Sequence, residues 1–220
     1  MLSLSEENHL KTIYHLSNHG LEVVNTNAIA EALRTKPASV SDMLKKLAQK
    51  QLIEHIKYQG VQLTKIGKLE ALLIIRRHRL WEVFLVEKLE FTWHEVHEIA
   101  EQMEHVNYPL LIDKLDRFLG FPKFDPHGDP IPDPKGKIEM PEQKQLFDFY
   151  PDQRGKVMGV KDGQSSFLQY LDKLGICIGT EIKIVEKMEF DGSVEIEINK
   201  TKIANLSKEA AKNIYLIRLP

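Results

Sequence analysis

The stretch FPKFDPHGDPIPDPKGK, residues 121–137, constrains this chain more than any other. Pro122, Pro126, Pro130, Pro132 and Pro134 each lack a backbone N–H and fix φ, so no helix or central strand runs through it. Folding must happen on either side. Before it, apolar residues recur at three- and four-residue spacing. After Pro151, runs such as TEIKIVEKM and SVEIEINKTKI alternate at a period of two between glycines. The expected architecture is mainly α with a small β portion. A winged helix-turn-helix would occupy 1–64, a helical segment 65–120, a proline-rich linker 121–150 and a small β-barrel 151–220.

Composition narrows the setting. With 220 residues, 42% hydrophobic and 28% charged, the chain has the make-up of an ordinary globular protein. It holds no apolar run long enough for a transmembrane helix, and MLSLSEENHLK lacks the basic and apolar regions of a secretory signal. The lone Cys177 excludes an internal disulfide framework and any multi-cysteine zinc site, so a reducing cytoplasm is expected. Cys177 itself reads as core.

The net charge of −2 hides an uneven distribution. Between Leu33 and Lys68, eight basic residues face only Asp42 and Glu54, giving 8 − 2 = +6. Such a window attracts polyanions through counterion release. It also has helix-turn-helix proportions. TNAIAEAL opens with Thr26 or Asn27 as a cap, and Pro37 follows the turn as the first residue of a second helix. In PASVSDMLKKLAQKQL, Val40, Leu44 and Leu47 face inward. Ala38, Ser39, Ser41, Asp42, Lys45 and Lys46 are left outward, with Thr35, Lys36 and Pro37 at the helix start. Small and hydroxylated residues let that end enter a major groove, while lysines meet phosphate. LIEHIKYQGVQLT then reads as a two-stranded wing with Tyr58 at its tip. Double-stranded DNA is the expected partner.

TWHEVHEIAEQMEHV, residues 92–106, carries a second message. On an ideal helix Val96, Ile99, Ala100, Met103 and Val106 form a core stripe, and Glu104, His97, Glu101, His94 and His105 share the adjoining arc. Glu101, Glu104 and His105 lie within about 6 Å of rise, close enough to meet one ion, while His97 is about 12 Å from His105 along the axis. Upstream, His78 and Glu82 in RRHRLWE stand at i, i+4 and share a face. Two carboxylates with an imidazole, and a separate His78, Glu82, His97 set, suit Mn²⁺, Fe²⁺ or Zn²⁺. Glu95 and Glu98 fall on the solvent side. His9, His15, His19, His55 and His127 read as surface or loop residues.

Catalysis is not expected. A zincin needs His-Glu-x-x-His, and HEVHE places the second histidine one residue early. No Gly-x-Ser-x-Gly elbow or phosphate-binding glycine loop occurs. The alternatives to a metal-dependent regulator are a metal-independent winged-helix regulator and, far behind, a metal-dependent hydrolase.

The series PASVSDMLKKL, KYQGVQLTKIGK, RRHRLWE, VHEIAEQMEHV and HGDPIP resembles the diphtheria toxin repressor family, in its manganese transport regulator-like branch. The resemblance covers essentially the whole chain and implies an SH3-like, FeoA-like barrel at the C-terminus. It implies a homodimer that binds inverted-repeat operators when loaded with Mn²⁺ or Fe²⁺, up to two ions per chain, and represses metal-uptake genes. It further implies no membrane and no small-molecule substrate. A primary site at Glu101, Glu104 and His105 would be completed by Asn8 from the first helix. Glutamate at position 101 is the manganese branch's choice, where the iron branch carries cysteine, and Lys11 stands where the manganese branch has a further glutamate. His78, Glu82 and His97 match the second site, completed from the barrel by Asp162 and Gln164; in shorter members the His78 position serves the primary cluster.

Overall fold

A computed structural model describes residues 2–138, 144–161 and 164–219. The chain divides into two compact units, each assembled from separated segments. One comprises residues 1–78, 101–112 and 132–137; the other comprises 79–100, 113–131 and 138–220.

The first unit holds the basic window. Helix α1, Leu4–Leu16, starts with a capping box in which Ser3 and Glu6 satisfy each other's backbone N–H. Helix α2, Thr26–Ala32, is capped by Asn25, whose side chain accepts from the Ala28 N–H at 2.8 Å. The cap is thus one residue earlier than the sequence suggests. Three consecutive residues, Asn25 to Asn27, could each serve, and only the extended backbone of Asn25 selects it. Helix α3, Pro37–Gln49, has Pro37 at its first position and buries Val40, Leu44 and Leu47. The wing pairs β1, Ile53–Ile56, with β2, Gly60–Leu63, in antiparallel register from Ile53↔Leu63 to Ile56↔Gly60. Val24 adds a third rung, exchanging both backbone hydrogen bonds with Val61 at 2.9 Å. Gly60 is required there: its φ is +138°, and a Cβ would lie 2.1 Å from the Val24 carbonyl oxygen.

Helix α4, Lys65–Leu89, gives its first turns to this unit and the remainder to the other. Helix α5 is confined to Val96–Met103, so Glu104 and His105 lie in the turn that follows rather than on a continuous helix to Val106. Thr92 and Glu95 form a turn before it, with the Thr92 N–H donating to Glu95 Oε2 at 3.0 Å. Glu95 is exposed as expected, yet it is engaged rather than merely hydrated. Helix α6 covers Pro109–Phe118.

The second unit is organised by a six-stranded antiparallel sheet. Its strands are β3 (Lys144–Gln145), β4 (Arg154–Val160), β5 (Glu181–Lys187), β6 (Val194–Ile198), β7 (Lys202–Leu206) and β8 (Ile214–Arg218), in the order β3-β8-β4-β5-β6-β7. Helices α7 (Ser165–Leu174) and α8 (Lys208–Asn213) complete it. Bulges after Val157 and Ile184 bend the sheet around a core that includes Ile182, Ile184, Val194, Ile196, Leu168 and Leu171. The sheet begins earlier than sequence alternation indicates. β3 is too short to show a period, and the fully buried Leu146 follows it at once.

Residues 121–131 form no helix or strand, only an isolated bridge between Phe124 and Pro130, but they are pinned. Asp125 is 3% exposed, and its Oδ1 accepts from the backbone N–H groups of His127 (2.8 Å) and Asp129 (3.0 Å). The Val160 N–H on β4 donates to the His127 carbonyl at 3.0 Å. At Gly128, with φ +91°, a Cβ would meet the Met158 carbonyl oxygen at 1.7 Å.

Candidate metal centres and nucleic-acid interface

Four segments of the first unit bring a charged cluster together. Glu7 on α1 is 3% exposed; its Oε1 accepts from Arg77 at 2.7 Å, and its Oε2 lies 2.6 Å from His105 Nδ1. One turn on, Lys11 donates to Glu101 Oε1 at 2.5 Å and to Glu104 Oε2 at 2.7 Å. His78 Nδ1 approaches the same Glu104 Oε2 at 2.6 Å, and Arg77 Nε donates to the Glu104 carbonyl at 2.5 Å. Burial of Glu104 works to raise its pKa. The hydrogen bond from His78 and the charge of Lys11 outweigh it, holding the carboxyl below its usual value.

Two buried oxygens of this neighbourhood have no hydrogen-bond partner, Glu104 Oε1 and Asn8 Oδ1. The first sits 3.9 Å from His105 Nε2. With His105 Nδ1 taken up by Glu7, it is Nε2 that faces that oxygen. Two acceptors at this spacing suit a shared cation, since ligand distances to a divalent ion are about 2.0–2.2 Å each. Lys11 bridges Glu101 and Glu104, and His78 and His105 each approach one oxygen of Glu104, while the buried Asn8 carbonyl oxygen has no hydrogen-bond partner.

The second unit holds another set. Glu82 on α4 is 2% exposed, and ligand atoms of Glu82, Asp125 and His127 lie within 4.8 Å of one another. His97 Nδ1, on a side chain 63% exposed, is 3.5 Å from Glu82 Oε1. His127 Nδ1 stands 3.6 Å from the same oxygen, its Nε2–H donates to the Trp93 carbonyl at 2.7 Å, and its ring stacks on Trp93 at 10°. That carbonyl fixes the ring's orientation and aims Nδ1 into the set, as outer partners of metal-bound histidines do. Burial, with Glu82 and Asp129 nearby, raises the Asp125 carboxyl to about 7 despite Arg79. Burial opposes charge on His127, but its bond to Glu82 and the surrounding carboxylates raise it to about 9.

Of the expected second set, His97 lies against Glu82 and His78 against Glu104. Glu82 also has His127 and Asp125 beside it. His127 is a correction: the loop residue of the sequence reading is oriented and mostly buried, and no periodic signal in a proline-rich loop announces that. His9 is another, at 8% exposure with its Nδ1 2.6 Å from the Ser5 carbonyl. Asp162 lies outside the described residues, and Gln164 is exposed at the N-cap of α7. His94 pairs with Asp172 on α7 at 3.0 Å. Cys177 is exposed rather than core, because its neighbour Ile176 takes the inward position; Cys177 Sγ lies 3.5 Å from Thr180 Oγ1.

Helix α3 presents its outward face as expected. Thr35, Lys36, Pro37, Ala38, Ser39, Asp42, Lys45 and Lys46 are exposed, and Ser41 is half-buried, its hydroxyl donating to the Pro37 carbonyl at 3.0 Å. Lys45 pairs with Asp42 at 2.9 Å, but both side chains are about 70% exposed, so the pair is weak and either group is available. Lys36 offers no side-chain cap, which leaves the first N–H groups of α3 open to an anion. Tyr58 at the wing tip is 93% exposed with φ +63°.

Comparison with known proteins covers the same regions. Residues 1–61 match the iron-dependent repressor N-terminal DNA-binding domain, 64–133 the iron-dependent repressor metal-binding and dimerisation domain, and 144–218 the FeoA domain. The iron-dependent repressor IdeR of Mycobacterium tuberculosis is 32% identical over 134 residues, which are 61% of this chain and 56% of that protein. The match thus spans little more than half the length of that curated relative. A solved structure described as a manganese-dependent transcriptional repressor in complex with manganese is 33% identical, covering 97% of this chain and all of that one, with a TM-score of 0.75. The manganese regulator SloR is 32% identical, covering 97% and 98% of the two chains, with a TM-score of 0.64.

Proposed function

The chain belongs to the iron-dependent repressor family, and from that premise we propose that it is a metal-dependent transcriptional repressor acting on operator DNA as a homodimer. The observation that carries the reading is the position of the first cluster. It joins α1, which packs on α2 and α3 of the helix-turn-helix, to the segment that follows α5. A change of charge at Glu101, Glu104 and His105 therefore bears directly on the helix that carries the recognition helix.

The metal-holding residues in this reading are Glu101, Glu104, His105 and His78, with Asn8 as a further oxygen, and separately Glu82, Asp125, His127 and His97. Oxygen and imidazole donors without thiolate favour Mn²⁺, with Fe²⁺ as the alternative. A bound divalent ion supplies positive charge among buried carboxylates. Glu7 orients His105, and the Trp93 carbonyl orients His127. The exposed face of α3, from Thr35 to Lys46, and Tyr58 on the wing would meet DNA, with lysines on phosphate and the small residues Ala38 and Ser39 at base edges. Tyr108, Leu110 and Leu111, all exposed, are apolar enough to serve the contact between copies. Domains at 1–64, 65–120 and 151–220, with the linker 121–150, remain the proposed organisation. A cytoplasmic location is part of the proposal; among the described residues no helix is long and apolar enough to cross a membrane. Catalysis has no part in this reading, because the family is one of repressors.

The test is retardation of inverted-repeat DNA across a titration of Mn²⁺ and Fe²⁺. Retardation should require metal, vanish with a chelator, and fall at least tenfold in Glu104→Ala. Retardation unchanged by the chelator would instead support a metal-independent regulator, a reading favoured by the ion pairs Lys11 already makes in this cluster.

A further inference from the structure

Lys11 is the only lysine among the described residues placed against two carboxylates of the first cluster. Its side chain is 12% exposed, so its ammonium has lost most of its water and depends on those two oxygens. Glu101 Oε1 and Glu104 Oε2 are held by one point charge, at distances where an ammonium does the electrostatic work of an ion. We propose that Lys11 is the resident cation of this cluster: it ties α1 to the α5 segment without metal and withholds Glu101 and one oxygen of Glu104 from any divalent ion.

The charge count supports a shared arrangement. Glu7, Glu101 and Glu104 carry three negative charges against Lys11 and Arg77. With neutral histidines one negative charge remains, and the unpartnered Glu104 Oε1 facing His105 Nε2 is where the site stays open. An ion arriving there either accepts the few donors left to it or displaces a desolvated lysine from two carboxylates. Both routes weaken binding relative to the same carboxylates without Lys11. The residue thus sets the metal concentration at which the cluster responds. It also makes the metal-free helix α1 better anchored than two repelling glutamates would leave it.

This inference rests on the metal reading of the cluster, and the experiment separates the two. Full-length wild type, Lys11→Met and Lys11→Arg are titrated with Mn²⁺ by calorimetry, with Glu104→Gln as the blank that identifies heat from this cluster. Amide exchange of residues 4–16 is followed in chelator and in Mn²⁺. K11M should bind Mn²⁺ at this cluster at least tenfold more tightly. Its α1 amides should exchange at least tenfold faster in chelator, with protection restored by Mn²⁺. K11R keeps the charge and should follow wild type, which guards against a folding defect in K11M. Equal or weaker Mn²⁺ binding by K11M, or α1 protection in chelator unchanged by K11M, overturns the role of Lys11 and leaves the metal reading standing. Absence of Mn²⁺ binding at this cluster in every variant overturns both.

Discussion

Glu104 shows how a single side chain can carry two opposed demands. One oxygen is saturated by Lys11 and His78, while the other is buried and unpaired, an arrangement that costs about 1–3 kcal/mol unless something positive arrives. Glu6 is the simpler case. Its burial raises the pKa, but the hydrogen bond from Lys50 and the Ser3 backbone more than compensate, so the folded value lies below 4.5. A depressed carboxylate stabilises the fold above its unfolded pKa and loses that contribution as pH falls through the folded value. Glu6→Gln should therefore cost about 1 kcal/mol near neutrality, and the difference from wild type should vanish in urea titrations well below pH 4.5. Gly60→Ala should cost about 3 kcal/mol or more, measured the same way, since a Cβ meets the Val24 carbonyl at 2.1 Å and φ is +138°. The nearness of Glu101, Glu104 and His105 follows from their closeness in sequence, although Glu104 and His105 lie beyond the helix that the spacing predicts. The partnership of Lys11 with them was not legible, because a cation opposite a carboxylate leaves no periodic trace.

The recognition helix is the element that sequence described best. Its inward residues Val40, Leu44 and Leu47 are 0–1% exposed, and its outward face follows from them. Lys46 is exposed and has no ion pair among the described residues. Lys46→Ala should weaken binding uniformly across DNA sequences and reduce the slope of log K against log salt by about 1. Ala38→Glu, by contrast, should abolish binding while leaving the fold intact, because it sets a longer, negatively charged side chain where a small one would approach the base edges. Helix α5 was read as too long. Thr92 and Glu95 close a turn before it, and Glu104 leaves the helix to reach Lys11 and His78, so tertiary pairing overrode the local pattern. The proline-rich segment was correctly free of helices and strands. Its buried Asp125 and oriented His127 escaped notice because they are fixed by side chain-to-backbone hydrogen bonds, which follow no period.

Across the molecule, charge is segregated by role. The window from Leu33 to Lys68 carries +6, so the remainder of the same 220 residues carries −2 − 6 = −8. In the proposed reading, that distribution draws the basic window toward DNA and disfavours contact elsewhere, most strongly at low salt. Ion binding should also appear as global stability. Mn²⁺ at 100 times its dissociation constant should add about 2.7 kcal/mol per occupied site, read as a rise in melting temperature that a chelator reverses. The organisation into helical and sheet-rich regions was visible from the proline-rich stretch and the change of period, but the division of α4 between two units was not. An uninterrupted 25-residue helix gives no sign of where one packing partner ends and the next begins.

Cys177 lies in the loop between α7 and β5. It is the chain's one sulfhydryl, and it is exposed. A maleimide dye or spin label would attach at that single place without mutagenesis, reporting on the sheet-bearing unit and leaving α1 and α3 unmarked. Air oxidation has equally little choice: one thiol per copy can close a covalent pair, but can never extend it into a polymer.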